Sequence, residues 1–365
     1  MKVIGLGLDK QIANSNSALA KRAIFYATNL DEFLFIFPGA GKNLSLTDKV
    51  KVWPSGKDNK FLSLWLIYKK LSGLLKSGQY QLLTIQDNYF LAVLGVYLAK
   101  KYKVKVEIQN HGFEKLTWWR RLLAQLALKR ADLVRTVSQR LANFLESEFK
   151  IKADKIYIVP VPLDIEVWQK APHNFDLHDK YPGKFIFLTV GRLVPVKNIA
   201  LQIRALAELK DEQVILLVVG DGPEKNNLEK LTQELNIAKQ VVFMGWQEQL
   251  ADYFRTSDCL LLTSFSEGFP LVISEAIIYE LPIIMTQVGS AGELIKNNYN
   301  GLVLPINDLS ALIKAMQKIK VDSNLGQQLK EGSKSTLNKI LEPVQASDLI
   351  NARWKNLLAN KYYNY

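Results

Sequence analysis

Two parallel-sheet α/β domains of similar size are what this sequence of 365 residues predicts. Short apolar runs alternate with segments of helical period along the chain, the pattern of sheets covered by helices. Several runs are apolar at nearly every position, FIFLTV at 185–190 and VILLVV at 214–219, as strands with both faces buried must be. The alternation lapses over 160–182, a stretch of prolines and polar residues that holds two of the three histidines. One domain is therefore expected at 1–165 and a second at 166–345.

The opening MKVIGLGLDK has a six-residue apolar run before Asp9, too short for a secretory segment, and reads as a first strand at 2–7. Further strands are expected at 33–37, 82–85, 104–108, 133–137 and 156–159, with helices at 18–28, 61–76, 89–101, 116–130 and 139–149. The stretch 89–99 is the nearest to a membrane span. It ends at Lys100-Lys101 and falls short of the roughly 18 apolar residues a span needs, so it reads as a buried helix. In the second domain strands are expected at 185–190, 214–219, 241–244, 259–263, 283–285 and 301–304. Helices are expected at 199–209, 225–235, 250–256, 272–279 and 310–319, with one more from 346. The single cysteine, Cys259, lies in the run CLLL and reads as core, without a disulfide framework or a cysteine metal site, which suits a reducing cytoplasm.

Net charge is +12, and it is lopsided. Residues 1–170 carry 27 Lys and Arg against 14 Asp and Glu, whereas residues 171–365 carry 20 against 21. A basic field on one half points to an anionic partner: a phosphorylated substrate, a membrane surface or nucleic acid.

Three glycine-bearing segments carry little. Gly5-Leu-Gly7 has Lys10 where a dinucleotide fingerprint needs its third glycine. Gly39-Ala-Gly41-Lys42 is too short for a P-loop, and Gly220-Asp-Gly222-Pro223 reads as a turn. More informative is Gly191-Arg192-Leu-Val-Pro-Val-Lys197-Asn198, which follows the strand at 185–190. The carboxyl ends of parallel strands are where open α/β sheets bind ligands. There Arg192 offers a bidentate fork and Lys197 a point charge, a pairing suited to a diphosphate, and Gly191 allows close backbone approach. The segment Ser264-Phe-Ser-Glu267-Gly268-Phe269-Pro270-Leu271-Val272-Ile-Ser-Glu275 follows the strand at 259–263 and opens a helix. Its amides suit an anion or sugar hydroxyls, and a carboxylate at Glu275 can accept both hydrogens of a vicinal diol such as ribose.

Glu267 and Glu275 stand at the E-x7-E spacing of the retaining glycosyltransferases of glycosyltransferase family 4, which have the GT-B fold. The sequence resembles that group elsewhere in order: Gly191-Arg-Leu with Lys197-Asn198, Val219-Gly-Asp-Gly-Pro223, Phe243-Met-Gly245-Trp246, Leu281-Pro-Ile-Ile284, Glu293-Leu-Ile295 and Asn300-Gly-Leu-Val-Leu-Pro305. In the first half, Asn110-His111-Gly112 and Thr136-Val-Ser138 are similar too. The resemblance implies two Rossmann-like domains facing across a cleft, with the helix at 346–365 returning to the first. It implies that Arg192 and Lys197 hold the donor diphosphate, that Glu267 and the backbone of Gly268, Phe269, Pro270, Leu271 and Val272 hold donor sugar and phosphate, and that Glu275 binds the ribose. Gly245 and Trp246 would lie near the base, UDP or GDP, and His111 would reach the donor sugar. With no Asp-x-Asp motif in the chain, it implies metal-independent chemistry and no cofactor. One departure is the loop Leu8–Asn16, which has no glycine where the group places a Gly-Gly turn.

On the acceptor side, the helix at 61–76 is apolar nearly all round at first and carries Trp65, Lys69, Lys70 and Lys76. The helix at 116–130 sets Arg121 and Lys129 beside Trp118. Basic residues beside exposed aromatics read as helices lying on an anionic membrane surface. The expectation is a peripheral enzyme at the inner face of the plasma membrane, with a glycan or lipid-linked acceptor in lipopolysaccharide or polysaccharide synthesis. The alternatives are a nucleotide-sugar epimerase or other GT-B enzyme and, ranked low for want of any nucleic-acid-binding signature, a basic nucleic-acid-binding protein.

Overall fold

The computed structural model describes residues 1–87, 89–112 and 117–359. By its internal contacts the chain divides into two units, Met1–Pro162 with Leu341–Tyr365, and Leu163–Ile340.

In the first unit the elements run β1 (Lys2–Leu6), α1 (Ala18–Tyr26), β2 (Glu32–Phe37), β3 (Leu44–Ser45), β4 (Val50–Pro54), α2 (Lys60–Lys76), β5 (Leu82–Ile85), α3 (Phe90–Lys101), β6 (Lys105–Asn110), α4 (Trp118–Arg130), β7 (Leu133–Thr136), α5 (Gln139–Phe149) and β8 (Ile156–Ile158). They form one sheet in the order β3-β4-β2-β1-β5-β6-β7-β8, parallel except where β3 meets β4. Strands β3 and β4 are additions to the sequence-based expectation. In β4, Val50, Val52 and Pro54 are buried while Lys51 is exposed, an alternation that lacks a continuous apolar run. Helix starts follow side-chain caps: Ser17 accepts from Ala20 N, and Ser138 accepts from Leu141 N at 3.3 Å.

The second unit runs α6 (Ile165–Gln169), α7 (Leu177–Lys180), β9 (Phe185–Val190), α8 (Ile199–Leu209), β10 (Val214–Val219), α9 (Lys225–Glu234), β11 (Val241–Gly245), α10 (Ala251–Arg255), β12 (Cys259–Leu262), α11 (Leu271–Ile278), β13 (Ile283–Thr286), β14 (Leu302–Leu304), α12 (Leu309–Val321) and α13 (Ser323–Thr336). Its sheet is parallel in the order β11-β10-β9-β12-β13-β14. Every residue of β10 and β12 is buried, Cys259 included, as the continuous apolar runs require.

The chain then returns to the first unit as α14 (Pro343–Leu358). On one face of the first sheet Ile4, Leu6, Leu34, Leu83 and Ile85 pack with Ile67 and Leu71 of α2 and Leu91 and Val96 of α3. On the other, Val3, Phe33, Phe35, Leu82 and Leu133 pack with α1 and with Ala346, Ile350 and Trp354 of α14. Trp354 is among the largest fully buried side chains, so α14 completes this core.

Candidate functional site

In the second sheet the strand order reverses between β9 and β12: β10 and β11 lie to one side of β9, β12 to β14 to the other. Ligands bind at the carboxyl ends of strands beside such a switch point. The loops leaving β9 and β12 are strapped together there. Phe265 N donates to Val196 O at 2.8 Å, and Thr263 Oγ1 lies 3.3 Å from Lys197 O and 3.0 Å from Asn198 O. Beneath them Gln202, a buried amide on the apolar face of α8, donates to Thr189 Oγ1 at 3.3 Å and Thr263 Oγ1 at 2.9 Å. Sequence reasoning missed Gln202; an uncharged polar residue inside IALQIRALA, two before Arg204, was the available signal.

Two of the expected site residues meet directly. Lys197 Nζ is 2.6 Å from Glu267 Oε1, and Ser264 Oγ donates to the same oxygen at 2.6 Å. Gly191 ends β9 with its N–H on Val219 O at 2.9 Å. Arg192 beside it is exposed, its carbonyl accepting from Val194 N at 2.9 Å and its guanidinium without a hydrogen bond or ion pair among the described residues. The loop after β10 presses on both: Leu193 N donates to Asp221 O at 2.9 Å, and a Cβ at Gly220, where φ is 137°, would collide with Gly191 O. Gly220 N donates in turn to Gly245 O at 2.8 Å, bringing in the end of β11, where Gly245 has φ 67° and Trp246 is 73% exposed.

Glu267, Gly268 and Phe269 are half-buried in the loop that Pro270 closes at the start of α11. No side chain caps this helix; Ile273 N bonds back to Pro270 O at 3.1 Å, and the amides of Leu271 and Val272 stand open at its positive end. One turn on, Glu275 is half-buried and its carboxylate has no hydrogen-bond or ion-pair partner among the described residues. Burial alone raises its pKa from 4.5 to about 7. A carboxylate so placed gains from any donor pair that solvates it.

In the first sheet the order reverses between β1 and β5. The glycine-free loop that follows β1 closes on itself: Asp9 Oδ1 accepts from Gln11 N at 2.9 Å, and Lys10 Nζ is 3.4 Å from Asp58 Oδ1. His111 follows β6, and its Nε2 lies 3.2 Å from Gln109 Oε1. The residue is exposed, yet desolvation of its ring, then the charges of Arg135 and Arg22, lowers the imidazole pKa and favours the neutral form.

The residues expected on the acceptor side lie on α2 and α4, with α3 packed against both. Phe61 is 87%, Trp65 49% and Trp118 75% exposed. Lys69 Nζ sits 3.8 Å from the Trp65 ring centroid, while Lys76 and Lys129 are exposed. Lys70 is half-buried, 5.7 Å over Trp53, and Arg121 pairs with Glu148 at 2.7 Å. Leu116, expected to open α4, lies outside the described residues, as do the last residues of the expected helix at 346–365. Among the described residues no helix is long and apolar enough to cross a membrane.

Two family models match the chain: one described as "Glycosyltransferase Family 4" over residues 29–167, the other as "Glycosyl transferases group 1" over 172–336. The chain is 27% identical over 350 residues to the UDP-Gal:alpha-D-GlcNAc-diphosphoundecaprenol alpha-1,3-galactosyltransferase of Escherichia coli, covering 90% of this chain and 84% of that protein. It is 29% identical over 217 residues to the N-acetylgalactosamine-N,N'-diacetylbacillosaminyl-diphospho-undecaprenol 4-alpha-N-acetylgalactosaminyltransferase of Campylobacter jejuni, covering 59% of this chain and 58% of that one. Among solved structures, Anabaena Alr3699/HepE in complex with UDP superposes with a TM-score of 0.81 at 18% identity, over 98% of this chain and 100% of that one.

Proposed function

This chain belongs to the glycosyltransferases of GT-B architecture and family 4 type, and from that premise we propose that it moves a sugar from a nucleoside-diphosphate-sugar donor to a lipid-linked or polysaccharide acceptor, retaining the anomeric configuration. The observation that carries this reading is the Lys197–Glu267 pair at the switch point of the second sheet.

The donor diphosphate draws Lys197 from Glu267 and takes Arg192 as its second cation. Their charges, in place of a divalent ion, neutralise the diphosphate as the sugar–phosphate bond breaks. Glu267, released from Lys197, accepts from donor-sugar hydroxyls, and the open amides from Gly268 to Val272 hold phosphate and sugar at the start of α11. Glu275 accepts both hydrogens of the ribose diol, while Gly245 and Trp246 flank the base. His111, at the carboxyl end of β6, serves a substrate sugar hydroxyl. The E. coli relative's name specifies a UDP-linked galactose and a diphosphoundecaprenol acceptor, which supports a uridine nucleotide and a polyprenyl-diphosphate acceptor here. Exposed Trp65 and Trp118, with Lys69, Lys76 and Lys129, support a first unit that rests on the anionic cytoplasmic face of a membrane.

A thermal-shift screen of UDP, GDP, ADP and their sugars tests the donor. A ligand at 100 times its Kd stabilises the native state by about 2.7 kcal/mol, a readily measured rise in Tm. Lys197→Ala is expected to lower kcat/KM by about 100- to 1000-fold, the cost of one preorganised charge-stabilising group, with Tm little changed because the pair is partly open to solvent. Wild-type turnover in that variant overturns the mechanism.

A further inference from the structure

A buried polar chain in the first unit ends on His111. The pairing registers set Thr84 opposite Glu107 and Gln109 opposite Arg135, so the four side chains share one face of the sheet. All four are buried, Glu107 completely. A carboxylate has no proton to give, so each contact with Glu107 has a fixed direction. Trp354 Nε1 donates to its Oε2 at 2.6 Å, Thr84 Oγ1 donates to the same oxygen at 2.9 Å, and Tyr157 OH donates to Oε1 at 2.7 Å. Arg135 Nε lies 3.0 Å from Oε1.

The directions propagate. With its one hydrogen on Glu107, Thr84 Oγ1 can only accept from Gln109, 2.7 Å away, so the Gln109 amide nitrogen must face it. The amide oxygen is thereby turned to His111 Nε2 at 3.2 Å. That oxygen only accepts, so Nε2 carries the ring hydrogen and Nδ1 is left with a bare lone pair.

We propose that Gln109, oriented by Thr84 and Glu107, is a positioning residue that locks His111 in the Nε2-protonated tautomer, so that the nitrogen it offers to substrate accepts from a sugar hydroxyl and is unsuited to a phosphate oxygen. This rests on the reading of His111 as a substrate-facing group. It adds which nitrogen does the work and what holds it. Trp354 joins the same carboxylate, so the returning helix α14 is wired to the loop that carries His111.

The chain has three histidines, so nitrogen-15 histidine labelling gives three ring systems, with His111 identified by its loss in His111→Gln. At pH 7.5 the intact protein should show His111 protonated on Nε2. Thr84→Val keeps the shape and removes the hydroxyl. It should free the Gln109 amide to turn, bring up the second tautomer and lower kcat about tenfold, the worth of one hydrogen bond, with the nucleotide-sugar KM unchanged. Thr84→Ser should restore both. If Thr84→Val does not fold, Gln109→Met breaks the same chain and should give the same two changes. An Nδ1-protonated His111 in the intact protein, or a tautomer and kcat untouched by these substitutions, overturns the proposal. Nucleotide binding measured in parallel separates the two readings. Tautomer control without nucleotide binding sinks only the transferase mechanism, and binding and transfer with an indifferent tautomer sink only the relay.

Discussion

In the proposed mechanism Glu275 joins stability to ligand binding through one proton. In the folded chain it keeps that proton to about pH 7, against 4.5 when unfolded, so between these values the native state binds more protons and stability falls as pH rises. Above pH 7 the whole cost is present. Glu275→Gln removes it and should be the more stable protein at pH 8, by on the order of 2 kcal/mol once its partly open edge is discounted. Binding should run the other way. In the proposed mechanism the ribose diol donates to the ionised carboxylate, so nucleotide affinity should climb from pH 6 to 8 in the wild type, whereas in Glu275→Gln it should be flat and about 10- to 100-fold weaker at pH 8. Chemical melts and titration calorimetry at the three pH values check both. A variant with unchanged affinity would remove Glu275 from the nucleotide site.

Between elements, close approach decides what can stand where. Helix α13 crosses the loop before β14 so tightly that a Cβ on Gly332 would overlap the Tyr299 carbonyl. Gly332→Ala should therefore cost about 2–4 kcal/mol, seen as a Tm lower by several degrees, whereas Ala at Gly326, where a Cβ meets nothing, should be neutral or stabilising. The same glycines hid this helix. SNLGQQLKEGSKST has two glycines and three serines, poor helix formers, and its buried stripe of Leu325, Leu329, Gly332 and Thr336 is too weakly apolar to register as a period. Strand β4 was hidden by exposed Lys51 and by the proline that ends it, and the continuous runs at 185–190 and 214–219 were plain because burial on both faces leaves Thr189 alone to interrupt them. At the site, charged residues in loops after strands announced themselves: Lys197 and Glu267 were legible. Gln109, Thr84 and Gln202 were not, because a buried polar side chain within a strand or helix takes its meaning from neighbours distant in sequence.

At the scale of the whole molecule, the excess positive charge of the first half has a surface to act through. Phe61, Trp65 and Trp118 stand exposed on α2 and α4 among lysines and arginines. Vesicles containing anionic lipid should bind the protein, and neutral vesicles should bind it poorly. Binding should fall as salt rises from 0.1 to about 0.5 M, where the screening length drops below about 5 Å. Replacing Phe61, Trp65 and Trp118 together by Ala should weaken sedimentation with anionic vesicles about tenfold or more while leaving nucleotide binding intact. Equal binding to neutral and anionic vesicles would sink the electrostatic part of this reading.

The return of α14 also orders events during synthesis. Trp354 fills the core that Val3, Phe33 and Phe35 begin, yet more than three hundred residues separate its translation from theirs. The intervening unit, Leu163–Ile340, has its own core and all its strands, and can close first. The earlier half must wait on the ribosome with one face of its sheet covered by α1 alone, a nascent surface that chaperones would be expected to shelter until α14 arrives.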